Sequence, residues 1–127
     1  MALTPQYAAI PKTGIAAIST ANTNRDGTGA LGTVFTAAPG NGSRIDRIIV
    51  AATGTSTAGM VRIYIDDGTT PYLYDEVTVD AVTPSNTVAA FRYDNTNVNI
   101  VLPPTYSLKA STAKGETFNI IAFGGDY

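Results

Sequence analysis

Apolar residues in this chain come in short stretches, separated by clusters of Gly, Pro, Asn, Asp, Ser and Thr, and nowhere recur with a sustained helical period. Residues 60–66 (MVRIYID) alternate cleanly. Val61, Ile63 and Ile65 point one way and Arg62, Tyr64 and Asp66 the other, which is the period of a β-strand. The following DGTTP reads as a hairpin turn in which Gly68 is free to take a positive φ. Residues 72–80 (YLYDEVTVD) alternate again, with Leu73, Val77 and Val79 on one face and Asp75 interrupting it. A bulge there, or an edge strand guarded by an inward charge, accounts for the break. Residues 44–53 (RIDRIIVAAT) are apolar on both sides in their second half. That pattern predicts a strand covered on both faces or set at a subunit contact.

Further strands are expected at 14–20, 31–37, 87–94, 98–103 and 105–111, with a mostly buried one at 117–127. Pro103 and Pro104 suit a sheet border rather than its middle. The stretches 21–29 (ANTNRDGTG), 38–43 and 54–59 read as turns and loops. About nine short strands with a turn signal at each junction predict an all-β chain, an antiparallel β-sandwich of jelly-roll-like form. Residues 1–13, with Pro5 and Pro11 and no steady period, read as an extended N-terminal arm, leaving 14–127 as one sandwich domain. The arm offers Leu3, Tyr7 and Ile10 as contact residues. Folded back, it is a first edge strand; reaching outward, it is a clasp on a neighbouring subunit.

Composition narrows the function more than the fold. The 127 residues suffice for one core without covalent staples. Only 14% are charged, against about 25% in an average soluble domain. The net charge of −2 is spread singly, with no Lys/Arg run, so no nucleic-acid partner is expected. No apolar stretch approaches the ~20 residues of a membrane span, so no membrane partner is expected either. The first residues lack both the charged and the continuous apolar regions of a secretory signal, which points to synthesis in the cytoplasm.

The sequence has no His, Cys or Trp. Ser–His–Asp and Cys–His nucleophiles are thereby ruled out, and zinc and copper lose their usual ligands. The expectation is a non-enzymatic chain with no catalytic residues, no cofactor and no metal. Three weaker constellations stand against it. Asp66 and Asp75 can approach across the hairpin as a carboxylate pair of the glycosidase kind. DDGTT supplies oxygen ligands but lacks the spacing of a calcium loop. The glycine-rich TGTSTAGM and FGGDY lack the Lys-Ser/Thr of a phosphate loop. Each reads more simply as turn or edge chemistry.

The aromatic pattern is more informative. Tyr64, Tyr72 and Tyr74 fall on the solvent-side parity of two neighbouring strands, and Arg62 joins them. Such a patch serves as the half-buried second face of a sheet, as a protein interface, or as a stacking platform for sugars.

The arm MALTPQYAAIPKTGIA, the stretch NGSRIDRIIVAATGTSTAGMVRIYIDDG and the ending LPPTYSLKASTAKGETFNIIAFGGDY resemble small virion proteins of tailed bacteriophages. Capsid decoration, or cement, proteins are the functional class to which the resemblance points. It implies a β-sandwich that sits as a homo-oligomer, a trimer first of all, over junctions of the major capsid protein and grips the shell through its arm. The implied location is the capsid surface of the virion. The competing reading is a receptor- or carbohydrate-binding sandwich of a phage tail or fibre, which shares the fold, the tyrosines and the oligomer.

Overall fold

A computed structural model describes residues 10–127 of the chain. Among these residues all regular structure is β: β1 (Ile10–Ile18), β2 (Gly32–Thr36), β3 (Ser43–Ala52), β4 (Gly59–Asp66), β5 (Pro71–Val79), β6 (Arg92–Asn95), β7 (Ile100–Leu102), β8 (Ser107–Thr112) and β9 (Phe118–Asp126). They form two antiparallel sheets. One runs β1-β9-β3-β6 with β7 also on β3, and the other runs β2-β8-β4-β5.

The pairing is nested. β1 pairs with β9, β2 with β8, β3 with β6 and β7, and β4 with β5. The chain therefore behaves as one long hairpin, centred on the turn after Asp66 and wrapped into two packed sheets. That is the arrangement of a jelly roll. Strands occupy the expected places, but the one expected at 87–94 is only Arg92–Asn95, and the first begins earlier than its pattern suggested. Ile10, Pro11, Lys12 and Thr13 already pair with Asp126, Gly125, Gly124 and Phe123. That part of the expected arm is strand, folded back on its own domain, while Leu3 and Tyr7 lie outside the described residues.

Alternation decides the core. Ile45, Ile48 and Val50 of β3 and Ile120 and Ala122 of β9 face Phe35, Val61, Ile63, Val77 and Leu108 of the other sheet. All are buried. Burying one such side chain contributes about 1.5–3 kcal/mol, so this layer is the main source of stability. One side of the sandwich closes by backbone contact. A Cβ on Gly14 of β1 would lie 2.2 Å from the Val34 carbonyl oxygen, so only glycine lets β1 approach β2 this closely. Lys12 completes the seam. Its ammonium donates to the Thr36 carbonyl, pairs with Asp126 at 3.3 Å and lies 4.8 Å from the centre of the Phe35 ring.

The two sheets differ on their outer faces. Residues 19–31, between β1 and β2, cross the outer face of the four-stranded sheet. Ala21 bridges to Thr112 on β8. Asn22 is buried, donates its backbone N–H to the Thr112 carbonyl at 2.8 Å, and donates its side-chain amide to the Thr28 and Ala30 carbonyls at 2.9 Å each. Gly27 (φ +86°) rests on Pro71, where a Cβ would lie 2.8 Å from the Pro71 carbonyl oxygen. The ANTNRDGTG stretch is thus a pinned cover rather than a free loop.

Candidate functional site

The cover changes the expected tyrosine patch. Tyr64 is 0% exposed, and its hydroxyl donates to the Asn24 carbonyl at 2.9 Å. Arg62 is also buried, with Nε donating to Glu76 Oε2 at 3.1 Å. The same carboxylate oxygen accepts from Arg25 Nε of the cover at 3.1 Å. Arg62 and Tyr64 sit on the parity expected from the sequence, but that parity faces the cover and not solvent. Tyr72 and Tyr74 remain exposed at 58% and 42%.

The break at Asp75 is a β-bulge on an edge strand. Ile63 pairs with Asp75 and Tyr64 with Leu73, which leaves Tyr74 as the extra residue of β5. The bulge moves Leu73 off the face of Val77 and Val79, and Leu73 is 40% exposed. Tyr72, Tyr74 and Tyr64 therefore do not form one surface. Burial first, then the charges of Asp75 and Tyr74, pushes the Tyr93 hydroxyl of β6 up.

The carboxylates are engaged in structure. Asp66 pairs with Pro71 in the β4–β5 ladder, on the parity of Tyr64, while Asp75 pairs with Ile63 on the other parity. The two carboxyls therefore stand on opposite faces. Asp66 accepts from the Gly68 N–H at 2.7 Å and pairs with Lys109 at 2.9 Å. Asp67 accepts from the N–H groups of Thr70 and Thr69, which hold its carboxyl below the ordinary aspartate value. In DDGTT the oxygens thus close the turn. No group of three or more His, Cys, Asp or Glu is placed to hold a metal among the described residues.

A cleft of about 160 Å³ lies where the end of β1 meets the cover, lined by Ser19, Thr20, Leu31 and Ser111 among others. The Ser111 hydroxyl is buried with no hydrogen-bond partner among the described residues, as is Arg62 Nη1. Ser111 and Arg62 are cross-strand partners.

The outer face of the five-stranded sheet has no cover among the described residues. Register sets its rows. Ile15, Ile121, Ile49 and Asp94 form one; Thr13, Phe123 and Arg47 a second; Ala17, Asn119, Ala51 and Arg92 a third; Pro11, Gly125, Arg44 and Val101 a fourth. Ile15 is 64% exposed and Val101 57%, while Ile49 is sunk to 7% among its neighbours. Ile121 and Phe123 are half-buried. Arg47 lies 5.7 Å from the centre of the Phe123 ring and donates from Nε to Asp94 at 2.8 Å. That guanidinium, aided by Arg92, holds the Asp94 carboxyl below its ordinary value. Ile10, the one described contact residue of the arm, is 59% exposed at the corner of this sheet.

The β3 part of this surface was signalled by a run apolar on both sides, and the β9 part by the mostly buried strand expected at 117–127. Ile15 carried no separate mark, because its exposure follows from which face the cover leaves bare. Compared with protein-family models the chain matches none, and no curated protein is similar enough in sequence to count as a match.

Proposed function

We propose that this chain is a non-enzymatic structural protein of a virion, a decoration or cement subunit that binds an assembled phage head and stabilises it by contact. The observation that carries this reading is the bare, largely apolar outer face of the five-stranded sheet, with Ile15, Ile121, Phe123 and Val101 turned outward. Ile15, with the half-buried Ile121 and Phe123 beside it, is exposed apolar surface of the kind that marks an interaction site. Of the carboxylates weighed for catalysis, Asp66 closes the β4–β5 turn and pairs with Lys109, and Asp75 stands on the opposite face from it; the low charge content leaves a surface suited to close packing. A subunit that binds the assembled shell and not its separated parts shifts the equilibrium toward the shell by mass action. The resemblance of the sequence to small tailed-phage virion proteins supports the setting, with the major capsid protein as partner.

The test is co-sedimentation of the purified chain with heads of the virus that carries it, and separately with the dissociated head subunits. Binding to heads alone is the expected result. Absence of binding to heads overturns the proposal. A second reading, a carbohydrate-binding module, is favoured by Tyr72 and Tyr74, exposed on an edge strand beside Asp75. Glycan-array binding that disappears in Tyr72→Ala would replace the first reading with this one.

A further inference from the structure

We infer that the cleft beside the cover binds a small oxyanion, of the phosphate or carboxylate kind, through Ser111 and Arg62. The site belongs to the four-stranded sheet and is independent of the contact reading of the bare face. Three observations carry it.

The first is the donor chemistry beneath the cover. Arg62 and Ser111 are 6% and 1% exposed, and Arg62 Nη1 and Ser111 Oγ have no hydrogen-bond partner among the described residues. The two residues are cross-strand neighbours on β4 and β8, on the outward parity of the next pair, Tyr64 and Lys109. A guanidinium N–H can only donate, and the hydroxyl beside it has a proton to donate as well. The group that satisfies both is an acceptor. The guanidinium is planar, and Nη1 lies on the edge opposite the Nε–H that meets Glu76. The unpartnered N–H is therefore turned away from Glu76.

The second is charge. Glu76 Oε2 accepts from Arg62 Nε and from Arg25 Nε, at 3.1 Å each, so one carboxylate serves two guanidinium groups. The Arg25 side chain is 64% exposed and is solvated, whereas that of Arg62 is 8% exposed. The other charges of this face are committed. Lys109 pairs with Asp66 at 2.9 Å, and Asp26, exposed on the cover, accepts from Thr28. Arg62 is thus a buried cation with a shared counter-charge, and a second anion beside it is favourable.

The third is space and access. The cleft of about 160 Å³ has Ser111 in its lining and opens between Ser19 and Thr20 on one side and Ala30 and Leu31 on the other. Ser19, Thr20 and Ala30 are exposed, so a dissolved ion reaches it. None of the lining residues is acidic. One water occupies about 30 Å³, so the cleft has room for a polyatomic group that spans two donors.

The test titrates the isotope-labelled full chain with sodium phosphate, and separately with sodium acetate, against sodium chloride of equal ionic strength at neutral pH. At least one of the two should give saturable amide shifts at Ser19, Thr20, Leu31 and Ser111, with a Kd on the order of 1 mM. Ser111→Ala, which costs little stability in buffer free of both anions, should weaken binding about tenfold by removing a charge-assisted hydrogen bond. Ser111→Asp supplies a carboxylate beside Arg62 from the chain itself. It should abolish the response and raise the melting midpoint in anion-free buffer, with circular dichroism verifying the fold. Arg92→Gln, on the other sheet, should leave affinity unchanged. Absence of a response to both anions, which leaves the cleft to water, overturns the inference. So do shifts that do not saturate or that scatter over exposed arginines, the mark of an adventitious ion only. Saturable binding that is indifferent to Ser111→Ala, or that survives in Ser111→Asp, overturns it too.

Discussion

The two outer faces of this sandwich are built from strands of the same alternating kind, and they end in opposite environments. On the four-stranded sheet, Arg62, Tyr64 and Asp66 are buried beneath residues 19–31. On the five-stranded sheet, Ile15, Val101 and the flank of Phe123 stand open. The polar side of one strand is thus buried while the apolar side of another is exposed, the inverse of what hydropathy alone suggests. The difference teaches that the outer side of a strand is decided by what the intervening chain does. A segment of polar and glycine residues covers a face well when, as with Asn22, its own amides are satisfied locally and its backbone joins the sheet edge.

The comparison is broken most severely at Tyr64. Tyr64→Ala removes a fully buried ring and its hydrogen bond to the cover, and should lower unfolding stability by about 3–5 kcal/mol in urea titration. An unchanged midpoint would mean the cover does not rest on that ring. Gly27→Ala acts on the cover directly. It demands a positive φ of an alanine and drives its methyl into the Pro71 carbonyl, with an expected cost of about 1–2 kcal/mol. Faster amide exchange confined to residues 20–31 is the accompanying signature.

The bare face should respond weakly. Ile15→Ala, studied at concentrations where the chain is monomeric, should change stability by no more than about 0.5 kcal/mol. A larger loss would show that something on the chain already covers it. Acid reaches this face through Asp94. Its folded pKa is depressed by Arg47, so the unfolded chain binds the proton more tightly. The stabilisation from this group is present above the ordinary carboxylate range and is lost as pH falls below about 4. Urea midpoints at pH 6 and pH 3 should differ less in Asp94→Asn than in the parent, and less again in high salt, since the pair is exposed. The smallest effect belongs under the cover. Ser111→Ala removes a hydroxyl with no partner among the described residues, so it should be neutral to within about 0.5 kcal/mol or slightly stabilising. A loss above about 1 kcal/mol would show that an ordered water or ion bridges Ser111 and Arg62.

Local pattern was enough to read the strands. Period-two alternation and turn residues placed β4 and β5 nearly to the residue, because side-chain direction in a strand follows position alone. The break at Asp75 was also legible, and it is the bulge at Tyr74 on an edge strand. The both-sided apolar run in 44–53 became the central strand β3, with Ile48 and Val50 in the core and Ile49 outward. For the candidate surface much less was visible. The parity of Arg62 and Tyr64 was right and its environment was not. Solvent exposure depends on a segment forty residues away along the chain, as the Tyr64–Asn24 contact shows.

By itself, then, the sequence determined an all-β sandwich, the positions of most of its strands, and a side-chain inventory without histidine or cysteine, since these follow from local chemistry. Only the tertiary structure decided which face is covered and which is bare, that Ile10–Thr13 belongs to the sheet, and that Asp66 and Asp75 stand apart. Those outcomes hang on non-local pairings and on a loop crossing a sheet, and no short window of residues encodes where the rest of the chain will lie.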